Sequence, residues 1–152
     1  MKEQVRIFKI RPDAKLPVRA HKTDAGIDFF FCPSDPQLVQ RRVSAGESAI
    51  LETGVKVEVP PGCMLQIMNK SGVATKTQLI TGACVVDEGY NGEVFINLQN
   101  VGQLVQYIQP GQKIAQGVFV RIEKPELWEI SEDNVYGVST SRGDGGFGST
   151  GV

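Results

Sequence analysis

Apolar and polar residues alternate along this chain in short runs, separated by clusters of glycine, proline and asparagine. Val55-Lys56-Val57-Glu58-Val59 is the clearest run, with three valines on one face and two charges on the other. That period of two marks a half-buried strand. Val5 to Ile10 predicts a first strand, broken by Arg11-Pro12-Asp13, and Leu16-Pro17 opens a polar connection to Asp24. Ala25 to Phe31 predicts a second, with one carboxylate, Asp28, inside an apolar run. Further strands are predicted at Ser48–Glu52, Met64–Met68, Leu79–Thr81, Val94–Gln99, Ile114–Val120 and Leu127–Ile130. Pro60-Pro61-Gly62, Asn100-Val101-Gly102 and Gln109-Pro110-Gly111 supply turns between them. Ser71 to Thr77 has the one claim to a turn or two of helix, against which its glycine and threonines count. Many short strands with Gly/Pro turns predict an all-β single domain, a sandwich or a barrel.

The chain is organised around Gly82 to Glu93. An apolar run, Ala83 to Val86, ends in Asp87; Glu88-Gly89-Tyr90-Asn91-Gly92 follows, and then Val94 to Leu98 alternates. Strand, Asn-Gly turn and strand predict a β-hairpin. Its mouth carries a carboxylate and a tyrosine three residues apart, which for a hairpin turn alone is solvated polarity and nothing more.

The end of the chain differs. Tyr136 to Val152 holds six glycines and few apolar groups, too few to hold itself against a core by burial. Within it, Arg142-Gly143-Asp144-Gly145-Gly146-Phe147-Gly148-Ser149-Thr150 offers a guanidinium, one ring, hydroxyls and accessible amides. That set suits an anionic, planar ligand. It is not a P-loop, because no Gly-Lys-Ser/Thr opens a helix. The Arg-Gly-Asp tripeptide also occurs in integrin ligands, a role that a cytosolic chain does not have.

Composition narrows the classes. At 152 residues with 41% apolar and 22% charged content, the chain is one domain's worth of ordinary soluble protein. A net charge of −1 argues against broad nucleic-acid binding, which needs a basic face, so an anionic ligand must be held by local donors. No apolar run approaches a membrane span, and Met1-Lys2-Glu3-Gln4 does not open a secretory signal. Cys32, Cys63 and Cys84 are odd in number and widely spaced, fitting neither a disulfide framework nor a zinc site. The expected setting is the cytoplasm, or the host cytosol or nucleus for a viral protein. His21 is expected in a surface loop and Trp128 in core or interface packing.

Five stretches share a chemical theme: Ala25-Gly26-Ile27-Asp28, Asn69-Lys70-Ser71-Gly72-Val73-Ala74, the hairpin, Gly111-Gln112-Lys113-Ile114-Ala115-Gln116, and Arg142 to Gly151. Their order and spacing resemble the five motifs of the homotrimeric dUTP pyrophosphatase (dUTPase) family, the fifth almost letter for letter. The resemblance covers Ala25 to the end of the chain. It implies a jelly-roll-like β-barrel of the β-clip type over residues 1–135, and a flexible arm, 136–152, that closes over the active site. It also implies hydrolysis of dUTP to dUMP and pyrophosphate with Mg²⁺, in a homotrimer whose sites are shared between subunits. That activity keeps uracil out of DNA and supplies dUMP for thymidylate synthesis.

The same resemblance implies roles residue by residue. Asp87 would orient and help deprotonate the water that attacks the α-phosphorus. Tyr90 would lie against the deoxyribose and leave no room for a 2′-hydroxyl. Cys84, Val85, Val86 and Phe95 would bound the uracil, read by hairpin backbone, and Thr81 would be a further substrate-binding residue. Lys70, Ser71, Gly72 and Gln116 would hold phosphates. Arg142 would reach the γ-phosphate, Phe147 would cover the base, and Gly148, Ser149 and Thr150 would add donors. Asp28 would lie near Mg²⁺, indirectly through water, with the metal held mainly by the triphosphate.

Several positions depart from the family pattern. Asn69-Lys70 stands where Pro-Arg is usual, which keeps the charge but loses the two-pronged contact. Cys84 stands where glycine is common, beside the base-reading backbone; Ile27 replaces a tyrosine and Gly89 a frequent aspartate. A nucleotide-binding regulator with lost catalysis is the alternative of a different class, and intact Asp87, Tyr90 and Phe147 favour the enzyme. A deaminase of the related dCTP-processing fold would need its own catalytic glutamate and a different second motif, and neither is found.

Overall fold

The computed structural model describes residues 4–146. Eleven strands make up nearly all of its regular structure: β1 (Ile7–Lys9), β2 (Ile27–Phe30), β3 (Arg41–Val43), β4 (Ser48–Glu52), β5 (Val55–Val57), β6 (Cys63–Met68), β7 (Leu79–Thr81), β8 (Val85–Val86), β9 (Phe95–Asn100), β10 (Gln106–Ile108) and β11 (Lys113–Arg121). One α-helix, α1 (Ser71–Thr77), and a short 3₁₀ turn at Glu132–Asn134 complete them. The all-β jelly-roll-like expectation holds. The short helix forms as well, although nothing in it is fully buried.

A four-stranded sheet, β2-β11-β6-β8, lies against a three-stranded one, β4-β9-β7; β1 pairs with β5 and β3 with β10. Every pairing is antiparallel. Alternation fixes which side of each strand is covered. Cys63, Leu65 and Ile67 of β6 and Ile96 and Leu98 of β9 turn into one continuous core with Phe29, Leu51 and Ile114. A one-residue slip would turn each of these sets to the opposite face. No helix among the described residues is long and apolar enough to cross a membrane.

Three expectations change. β3 and β10 escaped the sequence reading because each keeps few inward apolar residues, Val43 in one and Ile108 in the other. Leu127–Ile130 forms no strand: Leu127 and Trp128 are 92% and 85% exposed, which removes Trp128 from any core of its own chain. The third concerns the stretch around Asp87. β8 pairs with β6, whereas β9 pairs with β4 and β7, so the two runs flanking Asp87 lie in different sheets. The predicted hairpin is a loop, residues 87–94, that crosses from one sheet to the other.

Candidate active site

One cluster is built on strand register. Gln116 of β11 stands opposite Asp28 of β2 and opposite Met68 of β6, which places the three in one row across the sheet. Ile114 and Ala115 are buried in succession, and the β2 register shifts between Lys113 and Ala115. That bulge inserts one extra residue, so Lys113 falls on the same face as Gln116 rather than the opposite one. Lys113 Nζ lies 2.8 Å from Asp28 Oδ2. Lys70 Nζ, from the end of β6, lies 3.0 and 3.1 Å from the two carboxylate oxygens.

Burial pushes the Asp28 carboxyl up, but the hydrogen bonds from Lys113 and Lys70 outweigh it and hold the group below the usual carboxylate range. A depressed folded-state value stabilises the fold fully above the unfolded value near ~4, and that contribution is lost as pH falls through the folded one. Asp28→Asn is therefore expected to cost about 2 kcal/mol near neutral pH, since it strands two part-exposed lysines beside a buried amide. Thermal melts from pH 7 to pH 3 check this: the gap between parent and variant should narrow as pH falls below the ordinary carboxylate range.

Asn69 ties this cluster together. Its Oδ1 accepts from the Thr81 amide at 2.7 Å and from Thr81 Oγ1 at 3.1 Å, and its carbonyl accepts from Gln116 Nε2 at 2.9 Å. Lys70 is the N-cap of α1; no side chain caps the helix, and Ser71 and Gly72 are exposed. Asn69 and Lys113 were missed as site residues in the sequence. Asn69 looked like a substitution within a motif, and Lys113, three residues before Gln116, belongs to the opposite face unless the bulge is known.

The second cluster is the crossing loop. The Tyr90 amide donates to the Asp87 carbonyl at 3.2 Å, with Gly89 at φ +86°. That is a type II turn centred on Glu88-Gly89, in which the third residue must adopt positive φ. Asn91-Gly92 makes no hairpin turn, since neither residue has the positive φ that type I′ requires. Gly92 is small for another reason: a Cβ there would lie 2.3 Å from the Tyr90 hydroxyl. The phenol passes over Gly92 and donates to the Glu93 carbonyl at 3.0 Å. Val85, Val86, Asp87, Tyr90, Glu93, Val94 and Phe95 line a cleft of about 290 Å³.

β8 is the outer strand of its sheet, so beyond Val85–Val86 the backbone edge is open among the described residues. Unpaired strand-edge N–H and C=O groups are ready to pair with an extended or planar partner. Cys84 does not fill that edge. Its carbonyl accepts from the Ile67 amide at 2.7 Å, and its thiol turns toward the Gly82 carbonyl at 3.1 Å.

The two clusters are not brought together within one chain. Leu65 pairs with Val86, so Asp87 lies level with Met64, whereas Lys70 follows the far end of β6. Six residues of extended chain separate the two points by roughly 20 Å. Asp28, Lys70, Thr81 and Gln116 therefore form one group, and Val85, Val86, Asp87, Tyr90 and Phe95 another. Arg142 joins neither: it is exposed, and its Nε donates to the Gly145 carbonyl at 3.0 Å. Phe147, Gly148, Ser149 and Thr150 lie outside the described residues.

The sequence model of the dUTPase family matches residues 12–151. The chain belongs to the dUTPase family. It is 38% identical over 150 residues to the deoxyuridine 5′-triphosphate nucleotidohydrolase of Clostridium acetobutylicum, covering 97% of each chain. Its fold matches the dUTPase of Staphylococcus bacteriophage 80alpha, solved with dUpNHpp, at a TM-score of 0.86 and 29% identity over 99% of this chain and 100% of that one. A mutant dUTPase from phage phi11 of S. aureus, described for its coordination of a structural Mg(II) ion, matches at a TM-score of 0.75 and 28% identity. It covers 86% of this chain and 98% of that one. The family match runs through the residues of both clusters.

Proposed function

We propose that this chain hydrolyses dUTP to dUMP and pyrophosphate in a homotrimer whose active sites are each assembled from more than one subunit. Family membership carries the reaction, and the observation that carries the assembly is the separation of the two clusters. The cleft around Asp87 and Tyr90 takes the nucleoside, with uracil on the open edge of β8 and the sugar against the Tyr90 ring. Backbone readout of a base is selective because a buried donor left unpaired costs ~1–3 kcal/mol. The Lys70, Ser71, Gly72 and Gln116 group of a neighbouring copy takes the phosphates. Asp87 orients a water on the α-phosphorus and accepts its proton; the new P–O bond forms as the bond to the pyrophosphate oxygen breaks. Fixing and neutralising the triphosphate is what makes that attack productive.

Mg²⁺ fits this donor set. Among the described residues no three His, Cys, Asp or Glu side chains cluster to hold a metal, and Asp28 is engaged by two lysines. An ion held by phosphate oxygens and waters needs no such cage, and that is the coordination Mg²⁺ prefers. When bound it would neutralise phosphate charge, with Asp28 reached through water.

The arm, residues 136–152, and the segment before it support docking between copies. Leu127, Trp128, Tyr136 and Val138 are all more than three-quarters exposed on the lone chain. An exposed run of this kind marks a contact surface. Arg142, Phe147, Gly148, Ser149 and Thr150 would then close over a site on another subunit. The setting is the cytoplasm, or a host compartment for a viral chain.

Pyrophosphate release measured in parallel with dUTP, dCTP, dTTP and UTP tests the reaction. Turnover confined to dUTP supports it; equal rates on all four, or none on dUTP, overturns it. Gly92→Ala extends the test to sugar selection, since a methyl group there must push the phenol aside. The dUTP/UTP ratio of kcat/KM is expected to fall by about tenfold or more, as it should in Tyr90→Ala.

A further inference from the structure

Arg11 lies one residue before the stretch matched by the family model and outside all five motifs. Its guanidinium nonetheless reaches the crossing loop. Nη2 donates to Glu93 Oε1 at 2.6 Å and to the Cys32 carbonyl at 2.6 Å, and Nη1 reaches Glu93 Oε2 at 3.3 Å. Glu93 Oε1 also accepts from the Gly54 amide at 2.6 Å. Both side chains are largely covered, 18% exposed for Arg11 and 13% for Glu93. The residue after Glu93 is held as firmly: the Val94 amide donates to the Val55 carbonyl at 2.9 Å, and Thr53 Oγ1 donates to the Val94 carbonyl at 2.6 Å.

The other end of the loop is tied differently. Glu88 accepts from the Gly62 amide at 3.1 Å and pairs with Lys124, both in solvent-exposed positions. Exposed pairs of this kind hold little. The foot of the loop at Glu93 is thus its firm anchor, and it is the Glu93 carbonyl that receives the Tyr90 hydroxyl. A guanidinium fork suits the place because it reaches two carboxylate oxygens and a carbonyl at once, which a lysine ammonium does not.

We propose that Arg11 is a positioning residue: paired with Glu93, it fixes the carbonyl on which the Tyr90 ring is hung and so sets how strictly the site rejects a 2′-hydroxyl. This rests on the reading of Tyr90 as the residue that packs against the sugar. Arg11 acts on ring position and leaves the water and Asp87 alone. Its loss should therefore open the site to UTP and raise KM for dUTP, with kcat for dUTP little changed.

The test compares Arg11→Ala, Arg11→Lys, Glu93→Gln, Tyr90→Ala and Asn100→Ala in the full-length protein. Asn100 is a still more deeply buried polar control, bonded to the carbonyls of Val43 and Leu104 and not to the loop. Arg11→Ala should lower the dUTP/UTP ratio of kcat/KM by ~10-fold, Arg11→Lys and Glu93→Gln by less, and Asn100→Ala not at all despite a comparable drop in Tm. An unchanged ratio in the Arg11 and Glu93 variants, with a collapsed one in Tyr90→Ala, overturns the proposal. If Tyr90→Ala itself leaves the ratio unchanged, the sugar reading fails instead, and amide hydrogen exchange judges the clamp. Faster exchange in residues 87–94, with residues 63–68 unaltered, supports it; unaltered exchange in 87–94 overturns it. Should Arg11→Ala fail to fold, Arg11→Lys and Glu93→Gln carry both readouts.

Discussion

Asp87→Asn is expected to keep the fold and nucleotide affinity while lowering kcat on dUTP by at least ~10²-fold, the usual scale for losing a general base that positions water. Affinity should survive because asparagine keeps the shape of the side chain and the cleft is otherwise untouched. Stability should survive as well, since Asp87 is exposed and stands on a loop whose anchors are Glu93 and the type II turn. Steady-state kinetics and a binding titration with a non-hydrolysable dUTP analogue separate the two effects. A full-rate asparagine variant would remove Asp87 from the role of base.

Two inactive proteins are expected to rescue each other. One is Asp87→Asn with its arm intact; the other ends at Val138 and keeps Asp87. In mixed trimers some sites combine a working loop from one chain with a working arm from another. The arm's reach allows it: seventeen fully extended residues span up to about 56 Å. Ordering such a segment costs on the order of 1 kcal/mol per residue, so contacts with the nucleotide and with a neighbouring subunit must supply the closure. Activity after co-refolding should exceed the sum of the two alone by an order of magnitude or more. Mixed trimers verified by mass that stay inactive would show that each arm closes over its own subunit.

Much of the scaffold was written in local pattern. The period of two at Val55–Val59 and the apolar run at Ala25–Phe31 each became a strand within two residues of expectation, because sheet faces are sorted by burial. The family was legible too, since carboxylates, lysines and glycines at fixed spacing do not depend on knowing the fold.

What local pattern could not carry was partnership between distant segments. An apolar strand, a turn and an alternating strand read as a hairpin whether or not the two strands pair, and here Val85–Val86 and Phe95–Asn100 joined different sheets. The side of β11 on which Lys113 falls depends on a bulge that only pairing with β2 reveals. Arg11 looked like a strand breaker, and its role came from Glu93, 82 residues away. Sequence by itself determined the strand-rich fold class and the motifs that carry the family resemblance, because those follow from side-chain chemistry and short-range sterics. Tertiary structure decided that Asp87 and Lys70 stand at opposite ends of β6, because that distance is set by long-range register and no local propensity encodes it.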